Sequence, residues 1–125
     1  KTFEDDIKLR RDIASLYHEK LNDIQELTMP PAPGFENDRF DTFQNFEIRC
    51  EQRDELKVFL ADHGIGTLIQ WGGKAIHQIQ GLEFDCNDLD FTEKLFKKCM
   101  LIPMNSLMSL DDAKYVAEII RKFYS

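Results

Sequence analysis

The sequence lacks any excess of positive charge: 16 lysines and arginines stand against 23 aspartates and glutamates, a formal net charge of -7. Nucleic acids and anionic membrane surfaces are gripped by a basic face, so the balance argues against both as general partners. It leaves room for a local basic pocket, and so for a phosphorylated small molecule. No apolar run approaches the roughly 20 residues of a membrane-spanning helix, and no signal-peptide pattern opens the chain. Cysteine is scarce. Cys50, Cys86 and Cys99 are odd in number and widely spaced, which suits neither a disulfide framework nor a zinc site and reads as reduced thiols in a cytosolic protein. No metal site is expected. An initiator methionine is also missing, and KTFEDDIKLRRDIASLYHEKL is in helical rhythm from its start. Either processing or a longer parent polypeptide is expected.

What is present is an ordinary domain's worth of apolar residues, 42% of the 125, enough for one core. Leu9, Ile13, Leu16, Tyr17, Leu21 and Ile24 share one side of a helix that should stop near Leu27, ahead of the three prolines and glycine of TMPPAPG. An exposed loop follows to Thr42. FQNFEIRC (43–50) alternates as a half-buried strand, with Phe46, Ile48 and Cys50 inward. QRDELKVFLADHG follows as a helix that buries Leu56, Phe59 and Leu60 and is capped at Gly64. TLIQW (67–71) reads as the second strand. Asp90 is expected to cap a helix over FTEKLFKKC with Glu93 as the reciprocal acid, Phe91, Leu95 and Cys99 facing inward. MLIPM gives a third, edge-like strand. Ser109 and Asp112 form a capping box for a last helix that buries Val116, Ile119, Ile120 and Phe123. The fold class is therefore α/β, a small sheet of about three strands with helices packed on it and a long helix in front. The spacing permits parallel pairing without requiring it.

Chemistry concentrates in GTLIQWGGKAIHQ (66–78). The earlier Gly64-Ile65-Gly66 closes a helix and opens a strand, the reverse of a phosphate-binding glycine loop. Lys74 has no neighbours that promise a lowered pKa, so an exposed or anion-contacting lysine is expected, not a Schiff base. His77 has no partner at metal spacing, since His18 and His63 fall on other helices, and reads as a hydrogen-bonding residue. Trp71 suits the core and a pocket wall equally. No paired carboxylates have a spacing that fixes their geometry. The chain thus offers a binding loop and no catalytic set.

The ordered series RRDIASLYHEKL, a proline-rich turn, a strand leading to RDELKVFLADHGIGT, a loop ending in histidine, FTEKLFKKCMLIPM and SLDDAKYVAEIIRKF resembles the C-terminal part of the DegT/DnrJ/EryC1/StrS family of pyridoxal-phosphate-dependent sugar aminotransferases. The resemblance implies the small C-terminal domain of a fold type I aminotransferase. Residues 1–27 would be a helix leading from a large domain, 28–42 a proline-rich loop, and 43–125 the small α/β domain. It implies amino transfer, usually from glutamate, to a nucleotide-linked keto sugar in a cytoplasmic homodimer serving polysaccharide or secondary-metabolite synthesis. Pyridoxal 5'-phosphate and its lysine would reside on the large domain, because no lysine here matches the family's lysine motif; catalytic residues are expected to be absent. Family members commonly carry His-Tyr-Pro and then a histidine after the second strand, beside the sugar-nucleotide site. Gln70, Trp71 and Gly72 stand at the first three positions here, and His77 follows at a spacing about one residue longer. Gln70, Trp71, Lys74 and His77 are thus the expected substrate-binding residues, Trp71 by stacking and Lys74 near a diphosphate. Two alternatives remain: a stand-alone ligand- or partner-binding module, and a regulatory or dehydratase relative of the same family.

Overall fold

The computed structural model describes residues 2–35, 38–82 and 89–125. Cys86 lies outside them. Helix α1 (Phe3–Leu21) opens on a reciprocal cap: the Thr2 hydroxyl accepts from the Asp5 N–H at 3.2 Å, and the Asp5 carboxylate accepts from the Thr2 N–H at 2.8 Å. Ile13, Ala14, Tyr17 and Leu21 are fully buried, so the predicted stripe is the packed one. The helix ends at Leu21, short of the expected Leu27. Asn22 and Asp23 favour turns over a helix interior, and two successive turns carry the chain to a short strand, β1 (Leu27–Thr28).

Strand β2 (Phe46–Cys50) alternates as the sequence does, with Phe46, Ile48 and Cys50 buried and Glu47 and Arg49 exposed. It starts three residues later than predicted because Phe43 adopts a left-handed φ of 50°, its N–H held by the Asp41 carboxylate at 2.7 Å. Helix α2 (Arg53–Asp62) buries Leu56 and Leu60. Gly64, at φ 75°, ends it as expected, and Ile65 N–H closes back on Leu60 O at 2.9 Å. TLIQW is not a strand. Leu68 makes a lone two-bond bridge to Leu101, and the chain then coils into tight turns at Gln70–Gly73 and Ile76–Gln78.

Helix α3 (Asp90–Lys98) differs from expectation at two points. Leu89 occupies the cap position with no side-chain bond, and Asp90 is already helical. Phe91 is 76% exposed; Leu95 and Cys99 are half-buried as predicted, and Thr92, Glu93 and Phe96 join them. Strand β3 (Cys99–Ile102) leads to α4 (Leu110–Tyr124), whose Ser109–Asp112 capping box is as predicted. Val116, Ile119 and Ile120 are buried and Phe123 half-buried.

The sheet order is β1-β2-β3, antiparallel throughout, with Phe46 opposite Ile102 and Ile48 opposite Met100. One face of it forms a single core with α1, α2 and α4. The Tyr17 hydroxyl donates to Pro103 O at 2.7 Å across that core. The opposite face is open, a cleft of about 530 Å³ floored by Asn45, Glu47 and Arg49 and reached by Gln70. Among the described residues no helix is long and apolar enough to cross a membrane.

Candidate functional site

The 70–78 loop is tied down along its length. The Leu68 N–H donates to Leu101 O at 3.1 Å and the Leu101 N–H to Leu68 O at 2.8 Å, which fixes the entrance to β3. Trp71 (φ 54°, ψ 25°) and Gly72 (φ 63°, ψ 21°) are both left-handed, and Gly73 follows at φ 73°. A Cβ at Gly73 would crowd Ile69 Cγ2 at 3.3 Å and meet Arg53 Nη1 in ordinary contact at 3.7 Å, so it is the left-handed backbone that calls for glycine there. Arg53 itself donates to Phe96 O in α3 at 2.7 Å. Ala75 is only 2% exposed, and its N–H donates to the Gln78 side-chain oxygen at 3.0 Å. His77 Nε2 meets Glu93 Oε1 at 3.0 Å. The loop is therefore tied to α3 at Glu93, one turn from the carbonyl that holds Arg53.

The four predicted site residues fall in this one loop but point three ways. Trp71 is 77% exposed and Lys74 is exposed. Gln70 lines the open cleft beneath the sheet. The His77 side chain is 7% exposed and turned inward. Trp71 is therefore not core. Left-handed backbone is strained for a bulky residue, by about 1–2 kcal/mol. Phe43 carries the same strain but buries its ring to 1%, an offset that Trp71 does not have.

Sequence reasoning missed Glu93 and Arg53. Glu93 reads from sequence as a helix-capping acid, yet its side-chain partner is 16 positions away; nothing in local spacing signals such a bond. Arg53 sits in an unremarkable charged run, RDEL, and only the three-dimensional fold brings it under Gly73.

Among the described residues no group of three or more histidine, cysteine, aspartate or glutamate side chains could hold a metal ion. Burial pushes the Cys99 thiol up, with Glu47 adding to the effect, and burial raises Cys50 to about 11. Neither is an activated nucleophile. Pyridoxal phosphate needs an enclosed lysine, and every described lysine is exposed or half-exposed; the residues present do not fit that cofactor.

Comparison with known proteins decides the lineage. The DegT/DnrJ/EryC1/StrS aminotransferase family matches residues 1–121. The chain belongs to this family. It is 29% identical over 118 residues to a pleiotropic regulatory protein of Geobacillus stearothermophilus, covering 92% of this chain and 31% of that one. It is 22% identical over 120 residues to the dTDP-3-amino-3,6-dideoxy-alpha-D-galactopyranose transaminase of Aneurinibacillus thermoaerophilus, covering 96% and 32%. A DegT DnrJ EryC1 StrS aminotransferase from Brucella abortus superimposes with a TM-score of 0.82 at 26% identity, covering 98% of this chain and 32% of that structure. This family member thus spans about a third of the length of its relatives, and its fold is that of one part of a fold type I aminotransferase.

Proposed function

We propose that these residues form the C-terminal domain of a pyridoxal-phosphate-dependent enzyme that transfers an amino group, from glutamate, to a nucleotide-linked keto sugar in the cytoplasm. The domain supplies part of the sugar-nucleotide wall and moves with closure of the site. The cofactor and its lysine sit on a separate, larger domain of a homodimeric enzyme. Gln70, Trp71 and Lys74 make the wall, and His77, turned inward, holds their loop: Trp71 offers a face for a sugar or base, Lys74 a cation for a diphosphate. The observation that carries this reading is the exposed indole held on a strained left-handed turn, since strain without burial points to a task other than packing.

Titration with dTDP, followed by Trp71 emission, tests it. A saturable change that Lys74→Glu weakens supports the wall; no response in the wild type up to millimolar nucleotide sinks it. Borohydride reduction in the presence of pyridoxal phosphate should leave no adduct confined to Lys74, as measured by peptide mass.

A second reading, regulation without amino transfer, is favoured by the name of the Geobacillus relative. Glutamate-dependent conversion of the bound cofactor to its amine form, in the protein that carries these residues, separates the two.

A further inference from the structure

We infer that Glu93 is a positioning residue for the 70–78 loop, acting through His77 to fix the turn that presents Trp71. The inference deepens the proposed substrate wall and rests on that reading for its functional consequence. Its structural part stands alone. An ionised carboxylate only accepts hydrogen bonds, so at the 3.0 Å contact the hydrogen belongs to His77 Nε2. In the neutral ring Nδ1 is then the acceptor. That atom is buried and has no partner among the described residues. The reverse tautomer would bury an orphaned N–H at Nδ1 and set a lone pair at Nε2 against the carboxylate, a worse arrangement on both sides of the ring. Glu93 therefore selects one tautomer and one ring orientation.

The loop needs this anchor. Gly72 and Gly73 give the chain no stiffness of their own. Anchors must supply it: the paired backbone bonds between Leu68 and Leu101 at the entrance, and the His77–Glu93 bond at the other end. The second reaches α3 through Glu93. That helix works as a splint. The Glu93 side chain is 40% exposed and His77 7%, so loss of the carboxylate would strand a buried N–H that water reaches poorly, and the loop must shift to satisfy it. A ligand stacked on Trp71 would then bind a mobile ring, although no group that touches it had been removed.

The test compares the wild-type chain with E93Q, which keeps an acceptor oxygen, and E93L, which has none. Long-range ¹H–¹⁵N spectra should show His77 as the Nε2–H tautomer in wild type and E93Q, and an exchanging mixture in E93L. Anisotropy decay of Trp71, the only tryptophan, should show larger local motion in E93L alone. dTDP affinity should fall about tenfold in E93L and be largely kept in E93Q, a loss typical of one hydrogen bond. An Nδ1–H tautomer in the wild-type chain overturns the inference and needs no variant to fold. So does an E93L chain whose tautomer and Trp71 motion match wild type. A tautomer and ring motion that respond as expected, in a wild type that binds no dTDP, would uphold Glu93 and remove the substrate reading instead.

Discussion

At the residue scale, Trp71 separates stability from use. Its ring is in solvent and its backbone is left-handed, so Trp71→Gly should relieve strain at the cost of added chain entropy. The expected outcome is a melting temperature no lower than wild type, with dTDP binding lost by calorimetry. A residue placed for packing would give the opposite result, a lower Tm. The sequence located this site as a loop but left Trp71 open between core and pocket wall, because indole hydrophobicity is the same in both settings. The answer came from φ, which adjacent glycines only hint at. His77 was legible as a hydrogen-bonding residue. Its partner was not, since a long-range bond leaves no periodic trace.

At the scale of elements, legibility followed local physics. The α4 box could be read outright because Ser109 and Asp112 are three apart and satisfy one another's backbone: the Ser109 hydroxyl accepts from Asp112 N–H at 3.1 Å, and the Asp112 carboxylate accepts from Ser109 N–H at 2.8 Å. Ser109→Ala should cost about 1 kcal/mol, seen as a lower urea midpoint at unchanged slope. Strand β2 was equally plain in its period-two burial. The failures share a cause. TLIQW has a strand's composition, yet only Leu68 finds a bridge, and Leu27–Thr28 pairs with β2 despite looking like a helix tail. Pairing belongs to the partner as much as to the strand. In α3 an apolar residue, Phe91, is exposed while Thr92 is half-buried, because the neighbouring β2 and the loop fix which side of the helix is covered.

At the scale of the whole molecule, the charge pattern sets an acid and an alkaline limit. The Arg121 guanidinium, bonded to Asp23 at 3.0 Å through Nη2, holds that carboxyl below its ordinary value, and the Ser109 backbone and hydroxyl do the same for Asp112. A lowered native pKa stabilises above the unfolded value, about 4. That contribution is lost as pH falls through the native value. The Tm advantage of wild type over Asp23→Asn should therefore be present at neutral pH and vanish in acid. On the other side, burial raises Tyr17 and Tyr124, and takes Cys50 from 9.0 to about 11. A raised native pKa stabilises fully below the unfolded value and fades as pH climbs through the native one. Cys50→Ala should flatten the loss of Tm between pH 9 and 11, as read by calorimetry.

The Asp23–Arg121 bond joins positions 98 apart, and Arg121 also reaches Lys20 O. The opening helix therefore finds its main packing partner only in the closing one. Because α1 precedes α4 in the chain, during synthesis its Ile13 and Tyr17 stripe lacks the α4 residues that cover it until α4 itself has been made. A message cut short before Leu110 should therefore leave this domain's core uncovered, in chains that chaperones hold or proteases destroy.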